Sequence, residues 1–190
     1  MEIILAENHG FCYGVKRAVE MANEAADGKG KSYTLGPIIH NPQVVGRLES
    51  KGVSPIQEVA DIDEGTMIIR SHGVGPAIYA EAEEKGLHIL DATCPHVKKA
   101  QQDAKSVIED GMTLVILGEK NHPEVKSINL WADNKGIIIE DEESAQKLQI
   151  VEKMGVVVQT TFSQFKFNSI IEILEKKSKN LKVFKTICNA

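Results

Sequence analysis

A short apolar run that stops at a polar, Pro- or Gly-bearing turn and passes at once into a helical pattern recurs along this chain. That rhythm predicts β-α units with parallel, buried strands. Residues 87–98, LHILDATCPHVK, show it most compactly. Residues 88–90 are of strand type, Pro95 ends the strand, and residues 96–110 place Val97, Ala100, Ala104, Val107 and Ile108 at helical spacing. Cys94 stands at the junction, the edge of an open α/β sheet where ligands bind. Both chain ends repeat the arrangement. Residues 2–6 are a strand, Cys12 follows in the loop, and a helix starts at Gly14; residues 182–187 are a strand that Cys188 follows directly.

Between these units the same alternation continues. Helices are expected at 14–27, 42–51, 75–85 and 163–177, and strands at 32–39, 66–70, 113–117, 136–139 and 155–158. The expected fold class is α/β, with repeated β-α units forming small parallel sheets flanked by helices around a central site. The boundary is placed at the Cys94 unit, giving a first α/β domain over 1–97 and a second over 98–190.

At 190 residues the chain has room for one large or two small domains, and 26% charged with 42% apolar residues is ordinary for a globular protein. A net charge of −5 argues against general nucleic-acid binding, which needs a basic face. No segment has the pattern of a signal peptide or a membrane span, so the protein is expected to be cytoplasmic. Three cysteines far apart in sequence do not form a disulfide framework.

The residues just after the strands carry the chemistry. In order they are Cys12, His40, His72, Cys94, His122 with Glu124, Thr160 with Thr161, and Cys188. If the strand ends share one cleft, soft thiolates converge there with donors suited to an anionic, oxygen-rich substrate. Each residue also has a plain reading. A lone cysteine is more often an inert buried thiol. The histidines can be solvated loop residues, as His9, His88 and His96 are expected to be. Glu124 can be an acid at a helix N-terminus, and Thr160 or Thr161 a helix cap. Three cysteines in equivalent positions are harder to ascribe to packing. Zinc takes four ligands, or three and water, but close CxxC pairs are absent. A cubane iron–sulfur cluster takes four cysteines; with three, one iron is left open to substrate. Spacing does not decide between them.

The motifs GFCYGVKRA at 10–18, HNP at 40–42, RSHG at 70–73, DATCP at 91–95, HPEV at 122–125, QTTFS at 159–163 and TICNA at 186–190 resemble those of the LytB/IspH family, the 4-hydroxy-3-methylbut-2-enyl diphosphate reductases of the non-mevalonate isoprenoid pathway. They lie in the family's order over the whole chain and are jointly specific. The resemblance implies a 4Fe-4S cluster held by Cys12, Cys94 and Cys188, with its fourth iron on the substrate's allylic hydroxyl. It implies that His40, His72, His122 and Thr160 bind the substrate and that Glu124 supplies protons. Ferredoxin or flavodoxin would be the electron donor, and isopentenyl and dimethylallyl diphosphates the products. Family members carry a third α/β domain beyond the third cysteine, including a Ser-Ser-Asn diphosphate-binding segment. This chain is expected to lack most of it, with residues 3–5 and 182–187 as its remaining strands. Two other classes remain open from the residues: a non-catalytic binding module that keeps the fold, and a zinc-dependent hydrolase using two cysteines and a histidine.

Overall fold

The computed structural model of the chain describes residues 3, 4, 7, 9–28 and 30–188. In chain order the elements are α1 (Tyr13–Asp27), β1 (Ser32–Leu35), α2 (Pro42–Ser50), β2 (Val53–Ile56), a 3-10 turn (Val59–Asp61), β3 (Thr66–Ile69), α3 (Pro76–Glu84), β4 (His88–Asp91) and α4 (Pro95–Glu109). Then come β5 (Thr113–Leu117), α5 (Pro123–Leu130), β6 (Ile137–Ile139), α6 (Glu142–Lys147), β7 (Val151–Val158), α7 (Gln164–Glu175) and β8 (Ser178–Phe184). The strands form two four-stranded sheets, ordered β2-β1-β3-β4 and β6-β5-β7-β8. Every neighbouring pair is parallel, as the β-α rhythm requires.

Alternate residues of the central strands feed opposite faces. In the first sheet Ile68 meets Ala18, Ala22 and Leu48 of α1 and α2, while Met67 and Ile69 meet Ile62, Ala82 and Leu87. In the second, Val156 and Val158 pack on Ile170 and Leu174 of α7. Its other face, with Leu114, Ile116 and Val157, takes Ala100, Ala104 and Val107 of α4 and Val125 and Ile128 of α5. Helix α4 approaches β7 so closely that a Cβ at Gly155 would lie 2.4 Å from Val107 Cγ2. The helix that begins at the Cys94 junction therefore covers the second sheet.

The two sheets are joined just beyond His72. Gly73, with φ +71°, would bring a Cβ within 2.4 Å of Gln101 Nε2 of α4, and a Cβ at Gly75 would meet Leu130 of α5 at 2.8 Å. The indole Nε1 of Trp131 donates to the Val74 carbonyl at 2.9 Å.

Four expectations change. The final strand runs over Ser178–Phe184, not 182–187, and pairs with β7 in register from Val151↔Ser178 to Val157↔Phe184. It is the edge of the second sheet and not a remnant of a third, and Cys188 follows it by four residues rather than directly. The strand expected at residues 2–6 falls mostly outside the described residues; Ile3 and Ile4 are described, exposed and not in a strand. The strand expected over 32–39 stops at Leu35, where Gly36 turns with φ +69°, yet Ile38 and Ile39 remain buried. Strand β2 and helices α5 and α6 are additional. Among the described residues no helix is long and apolar enough to cross a membrane.

Candidate functional site

The strand ends of both sheets open onto one hollow of about 190 Å³, bordered by Cys12, His40, His72, Cys94, His122, Glu124 and Thr160. Local structure places each of them. After β1 the chain turns through buried Ile38 and Ile39 to His40, and Asn41 caps α2 by accepting from Val44 N at 3.1 Å. After β3, Ser71 N donates to the Ile38 carbonyl at 3.3 Å, which draws His72 beside His40. After β4, Cys94 N donates to the Ser71 carbonyl at 2.9 Å, so the cysteine junction is tied to the histidine turn.

The three histidines converge. Ring centroids are 4.5 Å apart for His40 and His72, 5.4 Å for His72 and His122, and 6.0 Å for His40 and His122. Burial first, then the neighbouring His40 and His122 and the charge of Arg70, hold the His72 imidazolium down to a pKa of about 3. Burial likewise lowers His122. His88 and His96 are exposed and stand apart from this group, as expected.

The trio's ligand atoms all lie within 4.8 Å of one another, close enough to surround one small ion. A hydrogen bond argues for an anion instead. His122 caps α5 through its side chain, with Nδ1 accepting from Glu124 N at 3.2 Å. In the neutral ring the proton is then on Nε2, which becomes a donor and not a metal ligand. Imidazole donors suit phosphate oxygens, whereas the zinc-hydrolase reading needs a lone pair.

Glu124 is not the solvated helix-end acid of the plain reading. It is 2% exposed. Its Oε1 accepts from Thr160 N at 2.6 Å, and its Oε2 lies 2.8 Å from Thr160 Oγ1. Burial raises its pKa, and the two Thr160 hydrogen bonds offset only part of the rise. A carboxyl so placed holds its proton more tightly than a solvated one.

Among the cysteines, Cys12 and Cys94 stand at the N-caps of α1 and α4 and take no capping hydrogen bond through their side chains. Both border the hollow. Gly14 makes room for the second sulfur, since a Cβ there would lie 2.5 Å from Cys94 Sγ. Cys188 is not part of the hollow's lining; its N–H donates to the Thr160 carbonyl at 2.8 Å, beside the strand end that carries Thr160. All three are free thiols, a soft donor set suited to zinc or an iron–sulfur group.

The structure also singles out residues that the spacing argument passed over. Arg17 of α1 donates to the carbonyls of Thr93 at 3.3 Å and Asp91 at 3.4 Å, lashing the Cys12 helix to the Cys94 loop. Asp91 receives Thr93 N at 2.9 Å, Tyr79 OH at 3.0 Å and the Lys98 ammonium at 2.6 Å. Burial pushes the Asp91 carboxyl up, but Lys98 and Thr93 together bring it below its ordinary value. Arg17 and Asp91 lie inside the quoted motifs, which was the only sequence signal for them; Gly14 was also marked by its place beside Cys12, where a glycine permits close backbone approach.

The family described as LytB protein matches residues 3–190. A 4-hydroxy-3-methylbut-2-enyl diphosphate reductase of Geotalea uraniireducens is 47% identical over 190 residues, covering 100% of this chain and 67% of the relative. One from Caldanaerobacter subterraneus is 46% identical over 195 residues and covered to 68%. Among solved structures, an (E)-4-hydroxy-3-methyl-but-2-enyl diphosphate reductase aligns with TM-score 0.86 at 42% identity, over 98% of this chain and 68% of that one. The Plasmodium falciparum E-1-hydroxy-2-methyl-but-2-enyl-4-diphosphate reductase aligns with TM-score 0.91 at 31% identity, over 97% of this chain and 60% of that one. The chain thus spans 60% to 68% of the length of these relatives. With the family match running from residue 3 to residue 190, this chain belongs to the LytB protein family.

Proposed function

We propose that this chain performs the reductase chemistry of its relatives, converting 4-hydroxy-3-methylbut-2-enyl diphosphate to isopentenyl and dimethylallyl diphosphates. The reaction consumes two electrons and two protons. The allylic C–O bond breaks, the hydroxyl leaves as water, and the second proton is added to an allylic carbon. The observation that supports this most is the double Glu124–Thr160 contact on the wall that also carries three converging imidazoles.

In this reading Cys12, Cys94 and Cys188 hold a 4Fe-4S cluster, and the three free thiols with the clearance at Gly14 fit such a group. When bound, it would supply the electrons and a Lewis acid for the hydroxyl oxygen. His40, His72 and His122 grip the diphosphate as hydrogen-bond donors. Glu124, whose proton affinity burial raises, delivers a proton from Oε2 by way of the Thr160 hydroxyl. Thr160 thereby also orients the substrate's hydroxyl end. The electrons come from a small carrier protein, a ferredoxin or flavodoxin, in the cytoplasm. Each sheet with its helices is one α/β domain, meeting near residue 97.

The test is an anaerobic assay with a reduced viologen dye. Dye oxidation that depends on the allylic diphosphate, with both isomeric products formed, is the expected result. No consumption of substrate by protein of full metal content would overturn the proposal.

A further inference from the structure

A pocket that grips a diphosphate has to balance several negative charges, yet among the described residues its wall contains no lysine and no arginine. Its described ionisable side chains besides the thiols are three histidines and the acid Glu124, and the chain as a whole carries net charge −5. Arg70 stands behind that wall. It follows β3 directly, two residues before His72, and its charge is felt at both His72 and His122. Its Nε is buried without a hydrogen-bond partner. Among the described residues no ion pair includes it. The fold nevertheless makes room for the group: Gly36 turns at φ +69°, and a Cβ there would lie 2.8 Å from Arg70 Nη1. The adjoining hollow that Arg70 borders contains Lys126 and, among the described residues, no acidic one, so no described carboxylate quenches the charge from that side. A half-buried guanidinium without a counter-ion is costly, and the cost is recovered when an anion arrives.

We propose that Arg70 is the positioning cation of the diphosphate pocket, supplying from behind His72 and His122 the positive charge that the pocket wall lacks. It acts through the two imidazoles, by polarising their N–H donors toward the anion and offsetting its charge. This inference rests on the diphosphate reading of the pocket.

The test uses the holoprotein, with inorganic pyrophosphate as the probe, by calorimetry at several salt concentrations. Arg70→Met keeps the apolar stem and removes the charge; Arg70→Lys keeps the charge. Arg70→Met should weaken pyrophosphate binding about tenfold or more and flatten its salt dependence, while Arg70→Lys recovers most of the affinity. In turnover, Arg70→Met should raise KM for the allylic diphosphate with kcat little changed. If Arg70→Met does not fold, Arg70→Gln decides by the same readouts. Unchanged pyrophosphate affinity without the charge, or no recovery with lysine, overturns the role of Arg70 alone. Failure of the unaltered protein to bind pyrophosphate overturns this role and the diphosphate reading together.

Discussion

Glu124 and Thr160 meet twice across the strand ends of the second sheet, with Glu124 Oε1 accepting the Thr160 N–H at 2.6 Å and Oε2 lying 2.8 Å from the Thr160 hydroxyl. The pair links the first turn of α5 to the end of β7. It fixes a buried carboxyl whose proton affinity is raised by its surroundings, next to a hydroxyl that can pass the proton on.

Glu124→Gln keeps both contacts, because the amide oxygen still accepts from Thr160 N and the amide NH2 donates to Thr160 Oγ1. It removes only the acid. Turnover should fall by about a hundredfold or more, the usual cost of losing a general acid. Metal content and substrate affinity should stay within about twofold of the parent, since neither the thiols nor the histidine donors change. Steady-state kinetics beside substrate titration check this; unchanged turnover with weakened binding would make Glu124 a binding residue.

Thr160→Val removes the hydroxyl and leaves Glu124 Oε2 buried without its partner. The expected loss is about 1–3 kcal/mol in denaturant unfolding. Thr160→Ser should restore most of it. Because the Thr160 contacts lower the Glu124 pKa, the valine variant should also shift the acid further upward, seen as a more alkaline limb in the pH profile of any residual turnover.

The β-α alternation was legible because most strands are short apolar runs with turn residues on both sides. Strand β2 was not, since its four residues include Pro55 and sit at a sheet edge, where a missing N–H is tolerated. The start of strand β8 was hidden because Lys179, Asn180 and Lys182 mask its apolar alternation; it is also an edge strand, half exposed. Helices of eight and six residues, α5 and α6, are too short to show a period. The candidate site was legible at the level of strand ends, which put His40, His72, His122, Cys12, Cys94, Glu124 and Thr160 around one hollow. The pairing of Glu124 with Thr160 was not, because it joins residues 36 apart through the tertiary fold. A close approach at Gly14 was legible from its place beside Cys12, but its partner, Cys94 Sγ, was not, because only the packing of α1 on the Cys94 loop brings the two together.

That clearance gives a prediction opposite in sign to helix propensity. Gly14 lies in α1, where alanine would ordinarily stabilise by about 1 kcal/mol. A Cβ there would fall 2.5 Å from Cys94 Sγ, so Gly14→Ala should displace the sulfur and lower bound iron. Gly46 in α2 has nothing within 4 Å of an added Cβ, so Gly46→Ala should leave iron content unchanged and raise the melting temperature slightly. Metal analysis and thermal unfolding of the two variants check the contrast.

The depressed His72 pKa makes a statement about acid stability. Above pH 6.5 the imidazole is neutral in both folded and unfolded chains, and its contribution to stability is fully present. As pH falls from 6.5 toward about 3, the unfolded chain takes up the proton and the folded one does not, so stability is lost. His72→Gln removes this titration. Melting temperatures of parent and variant, followed from about pH 7.5 to 5, should therefore shift in the variant's favour on acidification. A gap that does not change with pH would show that His72 is not held neutral by the fold.

In the proposed function Cys12, Cys94 and Cys188 form one soft donor set for an iron–sulfur group. Iron, zinc and acid-labile sulfide in anaerobically purified protein test it most directly, measured beside a Cys94→Ser variant. A brown protein is expected, with iron and sulfide in near-equal amounts, about four of each per chain, and with both lost in the variant because serine is a poor ligand for this metal group. A colourless protein with stoichiometric zinc and no sulfide would contradict it.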